Sequence, residues 1–124
     1  METVVHIERG VVIAEVVADG VIVTDAGGAL DVLATAQHEG GTRKILLHAV
    51  NLDDAFFDLS TGLAGEILQK VSNYGLALAI VGEFTGSASP ALRDFVRESN
   101  EHGQVVFVAN TNEGVRRLAA SRHG

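Results

Sequence analysis

Three short stretches of almost unbroken apolar residues constrain the fold more than any other feature of this sequence. They occupy residues 44–50, 76–81 and 105–108. Strands that are buried on both faces have this composition, and it is typical of the interior of a parallel sheet that helices cover on each side. We therefore predict that these stretches are the central strands of an α/β sheet.

Four amphipathic patterns follow or separate the predicted strands, and each begins at a residue that suits a helix N-terminus. A side-chain oxygen at that position accepts a hydrogen bond from an unpaired N–H of the first helical turn. The predicted capping residues are Asp25, Ser60 or Thr61, Ser89 before Pro90, and Asn110 or Thr111. For the first helix, ended by Gly40-Gly41, the inward residues are predicted to be Ala26, Leu30, Leu33, Ala34 and Gln37.

The N-terminal part of the chain reads as a hairpin. Residues 3–7 and 11–17 are rich in β-branched side chains, and Arg9-Gly10 between them suits a short turn. His6 and Glu15 interrupt the apolar pattern and are expected to face solvent. Residues 21–23 either extend the sheet or pass beneath it, and the pattern does not choose between the two.

The order of predicted elements is strand, strand, helix, strand, helix, strand, helix, strand, helix. This alternation predicts an α/β fold with right-handed crossovers, built on a single mixed, mostly parallel five-stranded sheet with four helices. The chain has 124 residues, so we expect residues 1–124 to form one domain with a substantial core.

Composition excludes several classes of function. The net charge is −7 and Cys is absent, so clustered phosphate contacts, disulfides and a thiol nucleophile are not expected. No apolar run is long enough to span a membrane and no secretory pattern opens the chain, so we expect a cytoplasmic protein without a membrane or nucleic-acid partner. Residues 26–29 lack the spacing of nucleotide-binding glycine loops, and no cofactor is predicted.

The stretch from residue 59 to residue 70 is the one place where the sequence indicates a site. Ser60 and Thr61 carry hydroxyls at a predicted loop-to-helix junction, and Gly62 lets the chain turn there. Acidic residues lie close by in sequence, namely Asp53, Asp54, Asp58 and Glu66. A phosphoryl group on either hydroxyl would add nearly two negative charges to this acidic surface.

The element order and this junction resemble the STAS-like fold of the anti-sigma-factor antagonists. In those proteins a loop after the third strand carries a Ser, at the start of a helix, that a kinase partner phosphorylates. Here Ser60-Thr61-Gly62-Leu63 falls at the matching place, with Phe57 and Asp58 just before it. Leu59 separates Asp58 from Ser60, which departs from the Asp-Ser-Ser-Gly pattern of that family.

A second resemblance covers most of the chain. The sequence is similar to a small bacterial family described only as domain of unknown function 4180. The residues that carry the similarity are 56–59, 61–70, 78–82 and 92–95. The resemblance implies no assigned activity, and it makes Thr61 a more family-like hydroxyl than Ser60.

These observations favour a regulatory protein-interaction module that is controlled by phosphorylation at Ser60 or Thr61, with a regulator or kinase as its partner. The interaction or ligand site is predicted to include His48, Asn51, Asp58, Gly62 and Glu66. Such a site would lie beyond the carboxyl ends of the strands, where open α/β sheets bind their ligands. The oligomeric state is not readable from the sequence.

Three alternatives remain open at this point. His48, Asp58 and Ser60 are the residue types of a nucleophilic triad, although the G-x-S-x-G elbow is absent. A divalent metal ion held by His48, Asp53, Asp54 or Asp58 is the second alternative. A hydrophobic ligand pocket is the third, and nothing in the sequence locates it. An enzyme is therefore an alternative to an interaction module, and catalytic residues are not predicted.

Overall fold

The computed structural model describes residues 1–84, 86 and 88–124. Within these residues the chain forms one five-stranded sheet in the order β1-β2-β3-β4-β5. The strands are β1 (Glu2–Glu8), β2 (Val11–Val17), β3 (Lys44–His48), β4 (Ala77–Val81) and β5 (Val105–Val108). The helices are α1 (Ala26–Gly40), α2 (Leu63–Asn73), α3 (Pro90–His102) and α4 (Thr111–Ala120). β1 and β2 are antiparallel and the other neighbours are parallel, so the predicted fold class and element order are confirmed.

The predicted hairpin of β1 and β2 is confirmed. Arg9 and Gly10 form its two-residue turn with φ angles of 52° and 78°. Two successive positive φ angles are typical of the type I′ turn, whose twist matches that of the strands. The hairpin closes with Glu8 opposite Val11.

Helices cover the two faces of the sheet unequally. The larger core cluster contains residues of α1 and α2 packed on Ala14, Val16, Ile45, Leu47, Leu78, Ile80, Val105 and Phe107, and α3 adds Phe95 and Val96. The smaller cluster contains Val115 and Leu118 of α4, packed on Ile13, Leu46, Ala77, Ala79, Val106 and Val108. We call these sides the three-helix face and the α4 face. Alternate residues of each strand point to opposite faces, which is why β3, β4 and β5 are almost entirely apolar. β3 and β4 are central as predicted, whereas β5 lies at the end of the sheet and is buried because helices cover both of its faces.

Three of the four predicted N-caps are confirmed by their hydrogen bonds. Asp25 accepts from the N–H of Gly28 at 2.7 Å, Ser89 accepts from that of Leu92 at 3.1 Å, and Asn110 accepts from that of Glu113 at 2.8 Å. Thr111, the alternative to Asn110, is the first residue of α4. The fourth prediction, at α2, is only partly right and is described with the site.

The predicted inner face of α1 was only partly right. Its buried residues are Ala26, Ala29, Leu33 and Ala36, so Leu30, Ala34 and Gln37 are not among them. Small alanines face the sheet because the helix approaches β2 closely near its end. A Cβ added to Gly40 would lie 2.8 Å from the Cβ of Ala14.

The prediction that the third strand reaches residue 50 was wrong. β3 ends at His48, and Ala49–Asn51 forms a 3-10 turn. The backbone oxygen of Asn51 accepts from the N–H groups of Ile22 and Val23, at 2.9 and 3.1 Å. Residues 21–23, whose place the sequence left open, therefore do not extend the sheet. Val23 makes only an isolated parallel bridge, to Leu52.

The C-terminal end of α4 is held by a lysine from the start of β3. Lys44 Nζ donates to the carbonyl oxygens of Leu118, Ser121 and His123 at 2.8, 2.9 and 2.8 Å. Carbonyls at a helix C-terminus lack partners within the helix, and this ammonium group bonds one in the last turn of α4 and two in the residues that follow it. No helix in the described part of the chain has the length and apolar content that a bilayer-spanning helix needs.

Candidate functional site

The segment between β3 and α2 is a series of short turns, each stabilised locally. Two further 3-10 turns, Asp54–Phe56 and Leu59–Thr61, follow Ala49–Asn51. An Asp precedes each of these two turns: Asp53 accepts from the N–H of Ala55 at 2.9 Å, and Asp58 accepts from that of Ser60 at 3.1 Å. Asp commonly bonds the backbone two residues ahead in this way, which explains why the segment turns repeatedly without forming a long helix.

The start of α2 corrects the predicted position of its N-cap, Ser60 or Thr61. The N-cap residue is Gly62, which has a φ of 78° and makes no side-chain cap. This left-handed conformation is strained for residues with a Cβ, so Gly62 is required for the turn into the helix. Ser60 and Thr61 therefore belong to the preceding 3-10 turn, where their hydroxyls have different partners.

The Ser60 hydroxyl is solvent-exposed and bonded to a carboxylate. Ser60 Oγ donates to Asp58 Oδ1 at 2.6 Å. This bond, together with the one from the Ser60 N–H, lowers the pKa of the Asp58 carboxyl below its ordinary value. Asp58 is therefore an anion that fixes the orientation of an accessible hydroxyl.

The Thr61 hydroxyl is occupied by the backbone. Thr61 Oγ1 lies 2.6 Å from the carbonyl oxygen of Ala55 and 2.9 Å from that of Asp58. It also accepts from the N–H of Leu63 at 3.2 Å. These contacts join the turns to the first residue of α2. The Thr61 hydroxyl thus bonds a first-turn N–H, as predicted of a capping hydroxyl, although Gly62 holds the N-cap position.

An open groove of about 770 Å³ lies beside Ser60, and we call it the Ser60 groove. It is bounded by the segment after β3, the loop after β4 and the first turn of α3. Its described lining residues are Ala49, Phe57, Asp58, Leu59, Ser60, Glu83, Phe84, Gly86, Ala88, Ser89, Ala91 and Leu92. Most of these side chains are apolar, so the groove suits an apolar group.

Phenylalanines form one wall of the groove and connect it to the core. The rings of Phe57 and Phe84, which line the groove, have centroids 6.1 Å apart. Phe84 packs edge-on against the buried Phe107 at 5.2 Å, and Phe57 packs against Phe56 at 5.0 Å. Aromatic pairs at these separations are mutually attractive, so the wall is part of the packed interior.

His48 does not join this site, contrary to the prediction. Its side chain lies on the α4 face, as does Val81 opposite it on β4, and His48 Nε2 is 2.7 Å from Glu15 Oε2. The Ser60 hydroxyl bonds Asp58 instead of an imidazole. The residue types of a nucleophilic triad are thus present without being assembled. Among the described residues, no three His, Asp or Glu side chains are arranged to hold a metal ion.

Asn51 also has a different role from the one predicted. It is buried, with 2% of its surface exposed, and its Nδ2 donates to the carbonyl oxygens of Ala18 and Gly20 at 2.9 and 2.8 Å. These bonds attach the chain after β2 to the turn after β3. Glu66 lies in the first turn of α2, exposed, and is not among the described residues that line the groove.

A second polar cluster, which the sequence did not indicate, lies on the α4 face. Glu15 Oε1 is 2.7 Å from His6 Nε2 and Oε2 is 2.7 Å from His48 Nε2. The expectation that Glu15 faces solvent was wrong, because 13% of its side chain is exposed. His6 faces solvent only in part, with 31% of its side chain exposed. The three residues come from three neighbouring strands. No local sequence pattern predicts that these three residues meet. The only sequence signal was that His6 and Glu15 each interrupt an otherwise apolar strand.

The fold and the groove define the class of this protein: an α/β protein with a mixed five-stranded sheet and an open apolar groove at the carboxyl edge of its parallel strands. The chain belongs to the family described as Domain of unknown function (DUF4180), whose model matches residues 8–118. Comparisons with curated proteins and with solved structures find no match. The likeness to the STAS-like fold stays a prediction.

Proposed function

We propose that this protein is an interaction module that holds a segment of a partner protein in the Ser60 groove, and that phosphorylation of Ser60 controls the binding. The observation that carries the proposal is the exposed Ser60 hydroxyl on the groove lining, bonded to Asp58 at 2.6 Å. A modified Ser60 would change the groove surface directly.

The contacts of the two hydroxyls favour Ser60 over Thr61 as the modified residue. A kinase needs a hydroxyl that can enter its active site, and Thr61 Oγ1 is engaged with two carbonyl oxygens and one N–H. The Ser60 hydroxyl makes one side-chain bond, to an exposed carboxylate. This preference differs from the one that the family resemblance implied.

Electrostatic repulsion is the physical basis of the control. A phosphoryl group would place about −1.5 to −2 charges next to the Asp58 anion and would remove the proton that Ser60 donates to it. Like charges at this separation repel, so the Leu59–Thr61 turn would open and displace Leu59 from the groove wall. The partner is expected to be a regulator whose apolar side chain enters the groove.

The test is site-specific crosslinking in the native cell. A photoreactive phenylalanine replaces Ala91, an exposed residue lining the groove, and the control places it at Arg116, an exposed residue of α4. We expect one discrete protein adduct at residue 91 that is absent at residue 116. Ser60→Ala should retain this adduct and Ser60→Glu should lose it.

Two results would contradict the proposal separately. Identical adducts at residues 91 and 116 would remove the groove as the binding site. An adduct that persists in Ser60→Glu, together with no phosphate on the Ser60 peptide of the native protein, would remove the control by phosphorylation.

The groove volume also favours a second candidate function, the binding of a small apolar ligand. Ligand pockets commonly enclose about 300–1,000 Å³, and this groove holds about 770 Å³. In that case native mass spectrometry of the protein purified from its own cells should detect a bound small molecule, and Ala91→Trp should abolish it. Residue 91 would then yield no protein adduct.

A further inference from the structure

The outer edge of β1 is uncovered in the described part of the chain. β1 lies at one end of the sheet, and its strand neighbour is β2. Their register is continuous from Glu2 opposite Val17 to Glu8 opposite Val11, without a bulge. An edge strand presents alternate N–H and C=O groups without ladder partners, and bulges or prolines that block further pairing are absent from this one.

The side chains of this edge are unusually apolar for a free surface. Ile7 and Val5 are 72% and 49% exposed, and Met1 and Val4 are also exposed. These four are half of the eight large apolar side chains that are exposed among the described residues. Thr3 bonds Glu39 at the end of α1, so this helix reaches the start of the strand while Val5 and Ile7 stay exposed.

We propose that β1 pairs with β1 of a second copy of this chain, antiparallel and around a two-fold axis at Val4. The two five-stranded sheets then form one continuous sheet. This interface is independent of the Ser60 groove and of the function proposed for it.

The polar side chains along β1 favour this register. A two-fold axis at Val4 places Glu2 opposite His6 of the second copy and Val4 opposite Val4, while Thr3 meets Val5 and Met1 meets Ile7. Opposite residues of an antiparallel pair share a face. Thr3–Val5 and Met1–Ile7 therefore meet on the three-helix side, and Val4–Val4 and Glu2–His6 meet on the α4 side. Glu8 and Arg9 fall outside the paired stretch.

The other symmetric registers are less favourable. An axis at Val5 places Glu2 opposite Glu8 of the second copy, twice, and an axis at His6 places His6 opposite His6 and Val4 opposite Glu8. Like charges directly opposite each other destabilise a strand pair. An axis at Thr3 pairs only residues 1–5 and leaves Glu2 opposite Val4, so the axis at Val4 is the one that pairs Glu2 with His6.

The experiment measures mass in solution by sedimentation velocity over a range of concentrations. The wild type should be a dimer, and Val4→Lys should weaken dimerisation by about tenfold or more, because two lysines then meet at the axis. The control, Val21→Lys, also charges an exposed valine but lies outside β1, and it should leave the dimer unchanged. Thermal melts and circular dichroism establish that each variant is folded.

A mixing experiment tests the axis itself. Val4→Glu alone should weaken dimerisation likewise, and an equimolar mixture of Val4→Lys and Val4→Glu should form a heterodimer, because only an axis at Val4 places residue 4 of one copy opposite residue 4 of the other. A wild type that stays monomeric up to millimolar concentration would overturn the proposal. Folded Val4 variants that dimerise as tightly as the wild type, or a mixture that associates no more tightly than either variant alone, would overturn it equally.

Discussion

Glu15 shows how single residues act in this protein. Burial by itself would raise the pKa of its carboxyl, but hydrogen bonds from His6 and His48 and the positive charge of these rings outweigh burial and lower the pKa below its ordinary value. Helix α4 packs on the same face and carries charged side chains of its own. Glu113 accepts from the N–H of Ala109, and Arg117 donates to the carbonyl oxygen of Asn100. The ionised Glu15 carboxylate on β2 therefore links β1 and β3 to its own strand through hydrogen bonds with His6 and His48.

This arrangement predicts acid sensitivity. The folded-state pKa of Glu15 lies below that of the unfolded chain, so its contribution to stability is fully present above about pH 4.5 and is lost as pH falls through the folded-state pKa. We expect Glu15→Gln to lower the free energy of unfolding by about 1 kcal/mol at pH 7 and to flatten its decline between about pH 5 and pH 3. Urea unfolding at several pH values measures both effects.

Asp31→Asn is the matched control, because Asp31 is an exposed carboxylate on α1. Its unfolding curves should follow those of the wild type across the same pH range. If Glu15→Gln declines with acid as steeply as the wild type does, the two histidine bonds do not stabilise the folded state.

The neighbouring hydroxyls Ser60 and Thr61 should differ in their effect on stability. Thr61→Val removes a hydroxyl that bonds two carbonyl oxygens and one N–H while it keeps the side-chain volume. We expect a loss of about 1–2 kcal/mol in the free energy of unfolding. Ser60→Ala removes one exposed bond and should cost a few tenths of a kcal/mol. Equal losses in denaturant unfolding would mean that the Thr61 contacts do not hold the turn to α2.

At the scale of elements, glycines decide how closely the helices approach the sheet. A Cβ on Gly114 of α4 would lie 2.8 Å from Leu46 Cδ1 and 3.3 Å from Val108 Cγ2. Gly65 of α2 is also helical, but an added Cβ there would meet nothing within 4 Å. The same residue type therefore serves close packing in one helix and has no such role in the other.

These two positions give a prediction with a built-in control. Gly114→Ala should destabilise the protein by up to about 1 kcal/mol, because the required shift of the buried Leu46 and Val108 outweighs the gain in helix propensity. Gly65→Ala should stabilise it by about 0.5–1 kcal/mol, because alanine favours the helix. Thermal denaturation compares the two variants directly, and a stabilising Gly114→Ala would mean that α4 packs less closely on the sheet than described.

At the scale of the whole molecule, all five phenylalanines of the chain form one cluster. Phe107 of β5 is its centre, with ring centroids 6.3, 5.2 and 6.0 Å from those of Phe56, Phe84 and Phe95. The cluster joins the central sheet to α3 and to the wall of the Ser60 groove. The shape of the groove therefore depends on core packing.

This cluster predicts a graded response to truncation. Phe107→Leu should lower the free energy of unfolding by about 1–2 kcal/mol, because the ring contacts three others and a cavity remains. Phe95→Leu should cost less than half as much, because Phe95 is half-buried and contacts one described ring. Equal losses in urea unfolding would show that Phe107 is not the centre of the cluster.

Local patterns were enough to predict the elements of this protein. Apolar stretches identified β3, β4 and β5, and capping residues such as Asp25, Ser89 and Asn110 marked three helix starts. Both signals depend on near neighbours in the chain, through the period of a strand or helix and through hydrogen bonds to the first turn. The placement of the Ser60 segment after β3 followed for the same reason.

Only the tertiary structure decided which distant side chains meet. His48 bonds Glu15 instead of approaching Ser60, and Asn51 holds the backbone near Ala18, because strand register and face are set by pairing between segments far apart in sequence. The groove is likewise built from three separate segments. Their packing against one sheet edge, which no local period encodes, places an exposed serine beside an apolar surface.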